Sequence, residues 1–558
     1  MRLHIYCVLA LSSACGMGGG SSGDNTGPQT SADAGGGGVS FGGQQDIGEF
    51  RGILKAGGIP GADTLDANGF FNEHYAPPPQ TGCTDALCLT PGVSVGKDWL
   101  HGQHQATLQV AINTNVDPTN YPKQPLNLVI VVDHSGSMAQ DGRLEKVKSG
   151  LNTLIDSLDD TDRLALVEFD DRVQTDAPFG ATLDRAALHT IVNGLTPRGA
   201  TDIYSGLSTG FNLSQGALAS NRQNRVIFLS DGNATAGITD QAAIIAMADG
   251  FVEQGIGLTT IGVGQDFDVK LMRGLAEHGA GNFYFLEDAS AATEVFKQEL
   301  AFFVSPLALD ININAVAGPG YNFGEVLGST LWNASTKAGS MHIPAAFVAS
   351  RTGPAPDPGT GGRRGGGSML FIHLDPIAGN NGKVADLTLT YHLPGSAQVV
   401  SQHITLDYAM DPQETPETPY LSAPEMANRY AMYNMFLGFR AAVTNPNYNC
   451  GTVALRELRA SASAWNATKE DPDISADLTL LDLYITNLST HGATVGPEAT
   501  EQSCQGYGTG GGYDGGGWNE GEGNDYHHSY ACNAGGSPSG ALVIGLGFLV
   551  AMRRRNRR

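Results

Sequence analysis

Basic residues are scarce in this chain. Its 558 residues include 32 lysines and arginines against 56 aspartates and glutamates, which gives a formal net charge of −24 at pH 7. Nucleic acids are therefore excluded as expected partners, because binding to phosphates needs a basic face that this composition does not provide. An acidic excess instead favours solubility and some attraction for divalent cations.

The chain also lacks the motifs of several enzyme classes. It has neither a His-Glu-x-x-His zinc motif nor a Gly-x4-Gly-Lys-Ser/Thr phosphate loop, which disfavours a metalloprotease or an ATPase. Gly-x-Ser-x-Gly occurs at Gly19–Gly23, in a glycine-rich stretch, and at Gly206–Gly210, in a predicted helix without the preceding strand of a nucleophile elbow. We therefore expect no enzyme, no catalytic residue and no small-molecule substrate.

Oxygen side chains are concentrated at the ends of predicted strands. An apolar run beginning at Leu126 ends in an Asp-x-Ser-x-Ser sequence, which predicts a buried parallel strand with three oxygen ligands at its carboxyl end. One later loop adds a threonine, and another adds an aspartate after a second apolar strand. An oxygen-only site of this kind suits Mg2+, Mn2+ or Ca2+ rather than zinc. The candidate metal ligands are Asp133, Ser135, Ser137, Thr201 and Asp231.

These five residues match, in order and spacing, the metal-ion-dependent adhesion site of von Willebrand factor A (VWA) domains, and the resemblance covers residues 126–304. It implies that the two aspartates supply charge, partly through water, while the three hydroxyls bind the cation directly. The resemblance also implies that a carboxylate of a bound protein completes the coordination. The expected function is thus metal-dependent, adhesion-type binding of a protein ligand.

Two other functions stay open. In a structural or assembly role in the cell envelope, a carboxylate of this same chain would complete the metal site. Metal-assisted hydrolysis ranks last, because no spare His or Glu is evident beside the three loops as a general base.

Strands and helices alternate over residues 126–304, which predicts a Rossmann-like, doubly wound α/β domain with a mostly parallel sheet. In such sheets, ligand sites lie at the carboxyl ends of the strands, where the strand order reverses. A helix over Ala291–Phe303 is predicted to close this domain. Short alternating strands after it predict a β-sandwich-like region, and a small helical domain follows.

The region before residue 126 resembles the segment that precedes the A domain in bacterial proteins named as calcium-activated chloride channel homologues. It reads as a helix, a turn and a second helix, followed by an edge strand over Ala106–Ile112. The name does not imply a pore, because the chain has no bundle of apolar 20-residue segments.

Both termini predict export. The first fifteen residues read as a signal peptide with a lipoprotein-type site at Cys15, with ordinary cleavage as the alternative because Ser12 stands where leucine is usual. The C-terminal end resembles a MYXO-CTERM sorting tail, with Cys532, a short apolar segment and an arginine cluster. The alternative is a retained membrane anchor. Either places the protein in the cell envelope, at the outer membrane or cell surface, attached to the membrane by its ends.

Four cysteines remain after Cys7, Cys15 and Cys532 are set aside among the seven. Cys83 could pair with Cys88 and Cys450 with Cys504, since disulfides are typical of exported proteins. The predicted boundaries are signal peptide 1–15, linker 16–44, accessory region 45–125, VWA domain 126–304, β-sandwich-like domain 305–410, helical domain 420–492, linker 493–531 and sorting segment 532–558.

Overall fold

A computed structural model describes the central part of the chain. The described residues are 37–40, 47–75, 83–116, 124–231, 233–264, 267–279, 281–286, 295–296, 306–329, 331–349, 367–379, 382–394 and 396–496. The predicted signal peptide, the sorting segment and nearly all of both linkers lie outside them, and so does the predicted helix over Ala291–Phe303 apart from residues 295–296.

In the middle of the chain, strands and helices alternate. After it, a run of strands is followed by a run of helices. The strands are β1 (Gly37–Ser40), β2 (Cys88–Leu89), β3 (Gly92–Lys97), β4 (His104–Thr114), β5 (Leu126–Asp133), β6 (Arg163–Phe169), β7 (Val173–Ala177), β8 (Gln223–Ser230), β9 (Ile256–Val263), β10 (Phe283–Leu286), β11 (Ala308–Ala317), β12 (Tyr321–Leu327), β13 (Trp332–Ala334), β14 (Ala338–Val348), β15 (Met369–Pro376), β16 (Gly382–His392), β17 (Val399–Tyr408) and β18 (Tyr420–Leu421). The helices are α1 (Gly48–Lys55), α2 (Ala67–Asn72), α3 (Arg143–Ser157), α4 (Arg185–Gly194), α5 (Ile203–Gly216), α6 (Gln241–Val252), α7 (Val269–His278), α8 (Met426–Val443), α9 (Tyr448–Lys469) and α10 (Pro472–Thr490).

The middle of the chain forms the predicted α/β domain. In the described residues its sheet has the strand order β10-β9-β8-β5-β6-β7, parallel except for β7 at one edge. All residues of β5 are buried, because successive side chains enter the cores on opposite faces of the sheet. Helices α3 and α4 cover one face, and α5, α6 and α7 cover the other. The predicted fold class is confirmed.

The accessory region and the sandwich-like region share one sheet. Strands β1 to β4 pair with β11 to β18 in a twelve-stranded arrangement within the described residues, so the α/β domain is inserted between two parts of the same layer. The regions predicted at 45–125 and 305–410 thus both contribute strands to this sheet. Pairings such as that between β4 and β15 join segments about 260 residues apart, and local sequence patterns do not encode them.

Strand β4 was predicted to lie at a sheet edge but is an interior strand, with β3 and β15 along its two sides. Its polar side chains are buried rather than exposed, because helix α8 covers them with polar groups. Gln109 accepts a hydrogen bond from Arg429 at 2.9 Å, and Gln105 accepts one from Asn434 at 3.1 Å. Alternation in β4 thus reflects a polar interface between two layers, in which side chains of α8 donate to Gln109 and Gln105.

The helices outside the α/β domain form one layer. Helices α1 and α2 pack with α8, α9 and α10 in a core rich in aromatic residues, which includes Phe50, Phe70 and Phe439. A buried hydrogen bond links α10 to the residues just after α2, because His74 Nε2 lies 2.7 Å from Asp477 Oδ2. Within the described residues, no helix is both long enough and apolar enough to cross a membrane.

Candidate metal centre

Two neighbouring strands bring the aspartates together. Strands β5 and β8 are parallel, and their register sets Val132 beside Leu229. Asp133 ends β5, and Asp231 directly follows the end of β8, so both carboxylates lie at the same edge of the sheet. The strand order reverses at β5, which is the position where open α/β sheets hold their ligands.

A chain of hydrogen bonds connects four of the five predicted ligands. The backbone N–H of Ser135 donates to Asp133 Oδ1 at 2.8 Å, and the Ser135 and Ser137 hydroxyl oxygens lie 3.1 Å apart. Ser137 Oγ in turn donates to Asp231 Oδ1 at 2.8 Å. The Asp-x-Ser-x-Ser turn thus directs its two hydroxyls toward the second aspartate, and neutral and anionic oxygens converge on one small volume.

Backbone contacts hold Thr201, the fifth predicted ligand, against the other two loops. Its N–H donates to Thr235 Oγ1 at 3.0 Å, and its carbonyl accepts from the N–H groups of Thr235 and Ala236. Two residues earlier, the Gly199 carbonyl accepts from Gly136 N–H at 3.2 Å. The threonine is buried, so the three loops meet as one packed unit.

Asp133 is the most deeply buried acid of the site. Its side chain is inaccessible to solvent, and Ser230 Oγ donates to its Oδ2 at 2.6 Å. Burial raises the pKa of Asp133 to about 6, although hydrogen bonds from Ser230 and Ser135 oppose this shift. Ser230 was not predicted as part of the site. Its only sequence signal is its place between an apolar strand and Asp231.

An arginine also belongs to the site. Arg143 Nη1 donates to Asp231 Oδ2 at 2.9 Å, and its side chain is 4% exposed. Arg143 is the first residue of α3, and the backbone of Gly264 lies directly against its guanidinium. Sequence reasoning assigned Arg143 only to a helix, because it lies outside the ligand motif.

A histidine and a glutamate lie beside the loops, contrary to the expectation that no such residue would be found there. His134 Nδ1 lies 3.0 Å from the Thr196 carbonyl and 3.8 Å from a Glu168 carboxylate oxygen. The imidazole is 1% exposed, and Arg198 pairs with Glu168 at 3.0 Å. His134 points away from its neighbours Asp133 and Ser135 because side chains alternate along an extended chain. His134 and Glu168 thus face the loop of Thr201 rather than solvent, while the Arg198 side chain is half-exposed.

The site opens to solvent on one side. Both aspartates and Thr201 are buried, while Ser137 is half-buried and Gly136 is exposed. The residues fit a hard divalent cation, because two carboxylates and three hydroxyls are oxygen donors of the kind that Mg2+, Mn2+ and Ca2+ prefer.

The predicted cysteine sites fall partly within the described residues. Cys83 and Cys88 form a disulfide, and Cys450 is also disulfide-bonded. Cys504, Cys15 and Cys532 lie outside the described residues.

Residues 127–298 match the family model of the von Willebrand factor type A domain, so the chain contains a VWA domain, as predicted. The uncharacterized protein YfbK of Escherichia coli is 28% identical over 198 residues, which cover 35% of this chain and 34% of that protein. The uncharacterized protein sll0103 of Synechocystis is 31% identical over 197 residues, which cover 35% of this chain and 45% of that protein. The matches thus span less than half the length of these relatives.

Among solved structures, the chain is similar to a von Willebrand factor type A protein from Catenulispora acidiphila. The sequence identity is 15%, the TM-score is 0.46, and the match covers 72% of this chain and 96% of that one.

Proposed function

We propose that this protein is a cell-surface, divalent-metal-dependent binding protein whose partner offers a carboxylate. The observation that carries the proposal is the series of hydrogen bonds that links Asp133, Ser135, Ser137 and Asp231, which is partly open to solvent at Ser137. VWA domains are often metal-dependent protein-interaction modules, and this family background agrees with the proposal.

The donor set suggests which ion would be held and why an outside ligand is needed. Asp133, Ser135, Ser137, Thr201 and Asp231 would hold Mg2+, Mn2+ or Ca2+. Only two of these five donors are charged, so the bound ion would supply a strongly electrophilic position for one more anionic oxygen. The half-buried Ser137 beside the exposed Gly136 marks the side from which that oxygen would approach.

The contacts of the nearby histidine and glutamate favour binding over catalysis. A general base must reach the reacting proton, directly or through one water. His134 is buried against Thr196, and Glu168 pairs with Arg198. VWA relatives are mostly interaction or adhesion modules, which agrees with this reading.

The surface location rests on the sequence and on one structural feature. The predicted lipoprotein site at Cys15 and the sorting tail at Cys532 would anchor the protein to the membrane. The disulfide between Cys83 and Cys88 suits an oxidising compartment outside the cytoplasm.

The described interdomain contacts favour an outside partner over a ligand from the same chain. Arg225 stacks on Phe347 of the twelve-stranded sheet at 5.0 Å, and Ser329 donates to Glu277 at 3.0 Å. Arg225 lies five residues before the end of β8, about 17 Å from the metal loops at 3.3 Å per residue. Glu277 lies in the last turn of α7, which leads back toward the amino ends of the strands. Within the described residues, these two contacts lie away from the metal-loop edge.

Calorimetric titration of Mg2+, Mn2+ and Ca2+ tests the proposal. We expect the wild-type protein to bind at least one of these ions and a variant carrying Asp133→Ala and Asp231→Ala to bind none. Capture of an envelope partner should then require the same ion. If metal removal lowers the melting temperature but changes no partner binding, the structural role is correct instead.

A further inference from the structure

We propose that Arg143 is a specificity-determining residue of the metal centre, which adds a fixed positive charge beside the loaded site and so favours an anionic ligand over a neutral one. This inference rests on the proposed function and deepens it. Arg143 lies outside the ligand motif, yet in this proposal it determines whether an anionic or a neutral ligand is preferred.

The contact that carries the inference is buried and direct. Arg143 Nη1 lies 2.9 Å from Asp231 Oδ2, and the two side chains are 4% and 0% exposed. Ser137 donates to the other oxygen of the same carboxylate at 2.8 Å. Asp231 is therefore fixed between a permanent positive charge on one oxygen and a hydroxyl of the site on the other.

The backbone around Arg143 leaves room for its guanidinium. Gly264 has a φ of 85°, and a Cβ at that position would come within 2.4 Å of Arg143 Nε. Gly142, directly before Arg143, has a φ of 66° and starts helix α3. Glycine tolerates such left-handed conformations, whereas most other residues are strained there. The arginine thus occupies a slot that two glycines make possible.

A count of charges gives the consequence. The nearby Asp170 and Glu168 share a single arginine, Arg198. Asp133 and Asp231 contribute −2 and a bound divalent cation contributes +2, so Arg143 makes the charge around the cation one unit more positive than these groups alone would make it. Because Arg143 and Asp231 are buried, this extra charge is screened far less than a surface charge would be.

The same charge has a second effect. A fixed positive group beside the site repels an incoming cation, so Arg143 should weaken metal binding while it strengthens binding of an anion to the loaded site. A residue that merely held Asp231 in place would strengthen both. An electrostatic role thus changes the metal affinity and the anion affinity in opposite directions, whereas a bracing role changes both in the same direction.

The test compares Arg143→Gln with Arg143→Lys in the full-length protein. Glutamine can still donate to Asp231 but carries no charge, whereas lysine keeps the charge without the guanidinium fork. Mn2+ is the metal probe, and its binding is followed by electron paramagnetic resonance of the free ion. Acetate and acetamide are the ligand probes, matched in shape and different in charge, and water-proton relaxation by bound Mn2+ reports their binding.

We expect Arg143→Gln to bind Mn2+ about tenfold more tightly, because a like charge is removed. Acetate affinity of its loaded site should fall about tenfold, and acetamide binding should not change. Arg143→Lys should keep the preference of the wild type for acetate. Arg185→Gln is the matched control, since Arg185 is also the first residue of a helix and pairs with an aspartate, Asp160, but away from the site.

Three outcomes would overturn the inference: unchanged acetate affinity in Arg143→Gln, loss of Mn2+ binding in a folded Arg143→Gln, or equal affinity of the loaded wild type for acetate and acetamide. The last measurement needs no variant, so the inference remains testable if Arg143→Gln does not fold. Failure of the wild type to bind any of the three ions would instead count against the proposed function.

Discussion

Replacing Asp133 by asparagine should stabilise the metal-free protein while abolishing its response to metal. The carboxylate is fully buried, and burial raises its pKa to about 6 from an ordinary value of 3.8. Asparagine has nearly the same shape. It can still accept the hydrogen bond from Ser135 N–H, and the Ser230 hydroxyl can rotate to accept from the new amide group.

The magnitude follows from linkage between ionisation and folding. The pKa of Asp133 is higher in the folded than in the unfolded chain. Between these two pKa values, Asp133 is protonated in the folded state and ionised in the unfolded state. The folded state therefore loses stability as the pH rises through this interval. A difference of about two pKa units corresponds to about 3 kcal/mol at pH 7. This cost is absent below about pH 4 and fully present above about pH 6. Asparagine avoids it but loses the hydrogen bonds to an ionised oxygen, so we expect a net gain of about 1–3 kcal/mol.

Urea denaturation in the presence of a chelator measures this gain. At pH 7.5 the midpoint for Asp133→Asn should exceed that of the wild type, and at pH 4 the two midpoints should coincide. Asp184→Asn is a suitable control, because Asp184 caps helix α4 in the same domain and asparagine caps helices equally well. Added Mg2+ at about 100 times its dissociation constant should stabilise the wild type by about 2.7 kcal/mol and Asp133→Asn by little.

Two results would refute this reasoning. A lower midpoint for metal-free Asp133→Asn than for the wild type would mean that the carboxylate stabilises the fold without metal. Equal stabilisation of both proteins by Mg2+ would mean that Asp133 is not a ligand.

Three further perturbations test the centre and its surroundings. Gly264→Ala should destabilise the protein by about 1–3 kcal/mol in urea, because Gly264 has a φ of 85° and lies against Arg143; no change in the midpoint would contradict the close approach. Mg2+ affinity, measured by calorimetry, should fall about tenfold per pH unit below about pH 6, since protons compete for Asp133; a flat profile from pH 5 to 7.5 would exclude that competition. Cys83→Ser should cost about 2 kcal/mol by opening the short loop to Cys88, and reducing agent should then lower the midpoint of the wild type more than that of the variant, which keeps only the disulfide of Cys450.

The α/β domain and its ligand loops were predictable because their signals are local. The apolar run of β5 and the oxygen residues after it lie within one short stretch, and parallel strands bring their carboxyl ends to a common edge. Helices α3 and α5 follow the expected periodicity, with bounds that differ by a few residues from those predicted. Strands β7 and β10 were missed, since each has only four or five residues.

The shared sheet outside this domain could not be predicted, because its order depends on contacts across the insertion. Residues on either side of the α/β domain pair directly, as Gln109 of β4 does with Phe371 of β15. Polar residues of β4 suggested a solvent-facing edge, yet their partners Arg429 and Asn434 lie more than 300 residues away. A single sequence shows that such polar groups exist but not which helix satisfies them.

Arg143 shows the same limit inside the metal centre, with a larger consequence. The motif identifies oxygens by their spacing, but the charge of a site depends on every ion within a few ångströms. The partner of Asp231 comes from the start of α3, and the room for it comes from Gly264 after β9. The two aspartates of the motif balance a divalent ion, whereas the folded site also contains the positive charge of Arg143. The preference for an anion is therefore a property of the fold around the motif, and substitution of Arg143 should change the choice of ligand while every ligand residue stays in place.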